Sequence, residues 1–252
     1  MLAADRRRAF GFWLPLAMLL CFGLCMADVS FYVQDRAENA VLVFLFCGSV
    51  TPVFSILPVI AALPFATGFG NDWRSGMAVS MTLRCGSRRF LRSKLVSCAL
   101  SGGLALAGGM LLFALFVNGW FQRDYASVAQ MLAEMPFCDV LDGSMAGNIQ
   151  FYGVFVLLQF LAGAFWATAA LAVSAFLPSP SLTLCAPLVL YRLAEAASAW
   201  LPGWASPVLL QTGSAGLGAW QTLCAAVGAF GLLLALCAGL FCWRAGRRLR
   251  SS

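Results

Sequence analysis

From Leu95 to Phe121, between Lys94 and Arg123, the chain runs without a single charged residue. The same is true from Ala9 to Ala27, Ala40 to Gly70, Ile149 to Leu177 and Ala219 to Trp243. A helix needs about 20 mostly apolar residues to cross the hydrocarbon core of a bilayer. Lipid offers backbone groups no hydrogen bonds, so runs of this length form helices rather than open strands. A further apolar segment, 182–200, is interrupted only by Arg192 and Glu195. Composition agrees. Charged residues make up 10% of the chain and hydrophobic ones 62%, whereas a soluble domain carries about 25% charge. The expectation is an all-α, polytopic integral membrane protein. It has six transmembrane helices, about 9–27, 41–66, 95–118, 149–177, 182–200 and 219–243, in a single transmembrane domain over 1–252.

Two of these runs have irregularities. Arg6, Arg7 and Arg8 precede the first, as in a signal peptide. Its apolar stretch exceeds the roughly 7–15 residues of a signal core, so it reads as a span. The second contains Pro52, Pro58 and Pro64. Proline removes a helical hydrogen bond and clashes with the preceding turn, so this helix is predicted to kink or end early.

Charge placement orients the chain. The N-terminus, the segment 71–94 and the C-terminus share one side. They hold thirteen of the sixteen basic residues but only Asp5 and Asp72 of the acids. Arg36, Arg123 and Arg192 belong to the other side with eight acids. Cytoplasmic segments are enriched in Lys and Arg, so both termini and the 71–94 loop are expected in the cytoplasm. The outer loops are then 28–40, 119–148 and 202–218. The last is rich in Gly, Pro, Ser and Trp and has the composition of a segment that dips back into the membrane. The basic charge is accounted for by topology and calls for no nucleic-acid partner; the lipid bilayer is its natural neighbour.

Much chemistry is excluded. There is no histidine, which removes Ser–His catalysis and imidazole metal sites. Eight of the ten Cys fall within apolar segments, and Cys138 stands alone outside; they read as small apolar filler. Leu100-Ser101-Gly102-Gly103 looks like the start of an ATPase signature, but it lies inside a span and no G-x-x-x-x-G-K-[ST] loop exists anywhere. Ser101/Ala105/Gly109 and Gly103/Ala107 read instead as small-residue helix packing, and Ala225/Ala229 and Ala235/Gly239 repeat it in the last span. The chain is expected to be no enzyme and to hold no cofactor.

Two features rise above this background. Arg192 and Glu195, three apart, share a helix face. Counted from Ser181, Arg192 stands about 16 Å up the fifth span. Charges at such depth are expensive and mark function, unless they snorkel to the interface. The second feature is the loop 71–94. Read as helix, Trp73, Met77 and Met81 make a stripe at i, i+4, i+8, and Arg84, Arg88 and Arg92 continue the spacing. Such a segment lies on the membrane surface or docks a partner.

At this loop the sequence resembles the permease subunits of ABC-2-type transporters. The matching positions are an acidic Asp72, then Gly76, then a basic stretch through Arg88 ending in Lys94 ahead of the third span. The resemblance covers nearly the whole chain through a loose motif. It departs in having Asp where Glu is usual. The eight residues ahead of the first span also leave the family's N-terminal elbow helix missing or vestigial. The resemblance implies a coupling helix in 71–94 that seats on separate P-loop ATPase subunits, which bind the ATP. Asp72, Trp73, Gly76, Met77, Met81, Arg84, Arg88 and Lys94 would do the docking. It also implies a second permease chain, identical or different, and a multi-pass location in a cell membrane of the bacterial cytoplasmic kind. The function expected is that of an ABC-type exporter subunit moving an amphipathic lipid, peptide or drug, since the spans offer few polar groups beyond Asn118, Gln150 and Gln159. A non-transporting accessory, immunity or sensory protein on a six-helix scaffold is the alternative. A secondary transporter using Arg192 and Glu195 as a coupling pair is a third.

Overall fold

The computed structural model describes residues 5, 8–32, 39–47, 52–121, 125–177 and 179–251. Arg6, Arg7, Asp35, Arg36, Glu38, Arg123 and Asp124, which entered the charge count, lie outside them. The regular elements are helical. In chain order they are α1 (Trp13–Tyr32), α2 (Ala40–Leu45), α3 (Leu57–Ala62), α4 (Gly68–Arg74), α5 (Met77–Cys85), α6 (Ser87–Trp120), α7 (Tyr125–Met131), α8 (Met145–Phe176), α9 (Pro180–Ser198), α10 (Pro207–Thr212) and α11 (Ala219–Ser251). Four are long and apolar enough to cross a membrane: α1, α6, α8 and α11.

The second expected span is in pieces. A 3₁₀ turn at Pro52–Ser55 and the short α3 follow α2, and α4 begins at Gly68. The prolines explain the breaks: Pro52 opens the 3₁₀ turn and Pro58 sits in the first turn of α3, where a missing N–H costs nothing. The fifth expected span is one helix, α9, with Pro187 inside it. Its two charges and its prolines keep it out of the four.

The helix α8 is the axis of the fold. Of its span 78% is buried, against 61% for α6, 33% for α1 and 11% for α11. It packs most extensively on α6, then on α11, α3 and α9. Glycine makes the α6–α8 contact possible. A Cβ on Gly102 would lie 2.7 Å from the Gly163 carbonyl oxygen, and one on Gly163 would lie 2.5 Å from that of Gly102. The next turns of α6 serve α1: a Cβ on Gly109 would meet Cys21 Cβ at 2.5 Å. The small-residue reading of the third span therefore resolves into two contact faces. In α11 the two predicted pairs part: Ala225 and Ala229 pack against the core, whereas a Cβ on Gly231 or Gly239 would find open space.

Helix α6 begins at Ser87, eight residues before the expected span. At 1.5 Å per residue it is about 51 Å long, well beyond the roughly 30 Å hydrocarbon core. Part of it therefore lies beyond a single straight crossing of that core.

Candidate functional site

The loop between the broken second segment and α6 is built as two short helices joined at glycines. Gly76 takes φ 72° and ends α4 from α5; Gly86 takes φ 80°, ψ 141° and separates α5 from α6. Only glycine enters these regions cheaply. The turn expected at Gly76 is present. The continuous stripe and row are not, because each glycine redirects the chain. Trp73 and Met81 face inward and pack against a cluster that includes Phe69, Phe90 and Phe241. Trp73 stacks on Phe69 at 6.3 Å, and the Arg248 guanidinium lies 5.7 Å from its ring. Met77 points out, 41% exposed. Arg84 and Arg88 are exposed but belong to different helices. The most exposed apolar residue of the loop is Leu83, at 84%; the sequence reading passed over it.

Asp72 and Lys94 do not join this exposed face. Both are buried, Lys94 completely, in an ion-pair node at the base of the loop. Lys94 Nζ lies 2.6 Å from Asp72 Oδ2, as a close ionic contact outside hydrogen-bond geometry, and donates to Asp5 Oδ1 at 2.8 Å. Ser93 Oγ donates to the other Asp5 oxygen at 2.6 Å, and Arg8 Nη1 donates to Asp72 Oδ1 at 3.0 Å. The rings of Phe65 and Phe90 flank the ammonium at 5.0 and 5.5 Å. Two carboxylates balance two cations, and that balance is what allows so much charge to leave water.

Their role is to hold the loop, not to present a surface. Asp72 fixes α4, Lys94 fixes α6, and Asp5 ties the N-terminal segment to both. Residues 5, 8 and 9 are helical, and Ala9 is fully buried in the cluster around Phe69, so the described part of the N-terminus is anchored at the loop base. Asp5, Arg8 and Ser93 were not singled out in the sequence, where nothing connects an N-terminal aspartate to a lysine so far along the chain. A cavity of about 550 Å³ opens beside the node, lined by Arg8, Trp13, Phe65, Asn71, Asp72 and Met77 among others.

The second site lies within the helical body. Arg192 Nη1 donates to Glu195 Oε2 at 2.8 Å, with the side chains 57% and 46% exposed. Their neighbour Tyr191 is buried against Trp166, ring centroids 5.7 Å apart. Trp166 stands about 15 Å along α8 from Phe176. The carbonyl of Phe176 accepts from Arg248 Nη2 at 2.8 Å, at the basic end of α11. The charged pair therefore sits beside α8 about a third of the way in from its Phe176 end, and it points away from the bundle rather than into it.

The stretch 202–218 reaches the same level. Ser206 caps α10 by accepting from Leu209 N, and Gly213, at φ 75°, ends it. Gln211, fully buried, donates to Gln159 Oε1 at 3.2 Å, and its carbonyl accepts from Gln159 Nε2 at 3.0 Å. Its own Oε1 accepts from Trp166 Nε1 at 3.0 Å. This short helix is thus inserted beside the middle of α8, and Asp139 caps the return by accepting from Ala219 N at 2.9 Å. Between α6 and α8 runs an apolar groove of about 590 Å³, lined by Leu111, Leu115 and Asn118 of α6 and Asn148, Ile149 and Leu157 of α8.

Among the described residues no group of three or more Cys, Asp or Glu is placed to hold a metal ion. No protein-family model, curated protein or solved structure matches the chain.

Proposed function

We propose that this chain is the membrane-spanning permease subunit of an ABC-type exporter, working with P-loop ATPase subunits supplied by other chains. In this reading α1, the broken α2–α3 segment, α6, α8, α9 and α11 make six crossings, with both termini cytoplasmic. The membrane is a bacterial cytoplasmic membrane, and a second permease chain completes the path. The observation that supports it most is the loop 68–86. It is braced onto the foot of α6 by a buried ion pair, and it leaves Met77, Leu83 and Arg84 outward, next to the exposed Arg88 at the start of α6.

A push on such a loop cannot be absorbed locally, because Asp72 and Lys94 join α4 rigidly to the 34-residue α6. An exposed leucine and methionine beside arginines suit a groove with an acidic rim, in the helix-in-groove manner. The apolar outward faces of the helices suit an amphipathic cargo. Copurification from native membranes tests the reading: an ATP-binding protein should accompany the intact chain, and Met77→Glu or Leu83→Glu should lose it without loss of membrane insertion. Insertion without any ATP-binding companion would leave the loop a membrane anchor.

A further inference from the structure

We infer that the outward face of α9 is the contact surface with a second copy of this chain, closed by reciprocal ion pairs in which Arg192 of each copy meets Glu195 of the other. The inference deepens the two-chain element of the reading above, but it needs no ATPase. Its starting point is a conflict. Tyr191 fixes α9 against Trp166, about 15 Å along α8 from Phe176, while the adjacent Arg192 is 57% exposed and Glu195 46% exposed. Left alone, the chain would present both charges to acyl chains at a depth where charge is strongly disfavoured. They pair with each other at 2.8 Å, and a polar surface over that pair would spare it contact with acyl chains.

A second copy supplies that cover with no further residue. A two-fold axis along the membrane normal sets the two α9 helices parallel, and such an interface uses one patch twice. Arg192 and Glu195 are one turn apart, so each arginine reaches the glutamate of the other copy and the pair is self-complementary. The face around them is continuous. Leu182, Cys185, Val189 and Leu193, at i, i+3, i+7 and i+11, are all exposed. The competing face is the Gly231, Ala235 and Gly239 stripe of α11. It carries no charge, so lipid alone covers it adequately.

Each face carries one exposed cysteine: Cys185 on α9 and Cys224 on α11. The other described cysteines are buried or half-buried. Oxidative cross-linking in native membranes of cells expressing this chain alone therefore reads the interface directly. The expected result is a dimer band in the unaltered chain and in Cys224→Ser, lost in Cys185→Ser. Arg192→Glu and Glu195→Arg should each weaken the band, and the double exchange should restore it. A band lost in Cys224→Ser but kept in Cys185→Ser would move the interface to α11 and overturn the inference. So would a single-copy mass in lipid nanodiscs, or cross-linking indifferent to the charge exchange. Because no ATPase is present, failure here leaves the ATPase reading standing, and failure of copurification leaves this surface standing.

Discussion

Lys94 Nζ is 2.6 Å from Asp72 Oδ2, and none of the lysine is exposed. Asp72 lies in α4 and Lys94 in α6, so a single buried contact closes the segment between them. Removing one partner of a buried pair typically costs about 3–5 kcal/mol, because the other charge is left uncompensated. Lys94→Met should therefore strongly lower the thermal midpoint in detergent, and adding Asp72→Asn should recover part of the loss. Neighbours that share a network couple by about 0.5–3 kcal/mol. Strictly additive losses in that cycle would mean the two charges act independently.

Asp5 extends the node to the N-terminal segment. Asp5→Ala removes the acceptor of both Lys94 and Ser93, and it should expose the loop base. Faster tryptic cleavage within 74–92 is the expected readout. Unchanged cleavage would show that the N-terminal segment is dispensable for holding the loop.

The two loop glycines should not be equivalent. A Cβ would meet nothing within 4 Å at either Gly76 or Gly86, so each substitution costs only backbone strain. Gly76 lies in the left-handed region, whereas Gly86, at φ 80°, ψ 141°, lies where side chains are hardly tolerated. Strain of this kind runs to about 1–3 kcal/mol. Gly86→Ala should lower the thermal midpoint more than Gly76→Ala, and the reverse order would contradict the geometry.

The membrane character of the chain was legible because it rests on local composition: uncharged runs give α1, α6, α8 and α11 whatever their partners. The proline spacing likewise announced the broken second segment. What escaped was everything set by one residue turning the chain or by distant residues meeting. Gly86 cut the supposed arginine row, and it could have been flagged as a helix breaker. Lys94 and Asp72 carried the right addresses, at the two ends of the loop, but their burial depends on Asp5, Phe65 and Phe90 arriving from elsewhere. The packing of 202–218 beside α8 was not legible in its composition. The Gln211–Gln159–Trp166 network that holds it there joins residues with no sequence relation.

That network predicts a specific weakness. Leaving a buried polar group unpaired costs about 1–3 kcal/mol, and Gln211→Leu orphans the Trp166 N–H and the Gln159 side-chain oxygen together. The segment 202–218 should become susceptible to protease added from outside, while Gln211→Glu, which still accepts from Trp166, should be milder. Equal resistance in Gln211→Leu would place the holding force elsewhere.

Cys138 should be almost inert despite its place in the turn between α7 and α8. Burial, aided by the Asp139 charge, pushes its thiol up to about 11. Only the thiolate reacts, so its maleimide labelling in the folded protein should be slow at neutral pH and rise as pH climbs toward that value. Rapid labelling of Cys138 at pH 7 would show the loop to be open.

The most direct test of the permease reading is affinity purification of the full chain from its native membranes, followed by identification of what comes with it. The account predicts a P-loop ATPase in the unaltered sample, and its loss in Leu83→Glu while the variant remains in the membrane fraction. A chain that purifies with no ATP-binding protein, or a Leu83→Glu variant that retains one undiminished, would contradict it.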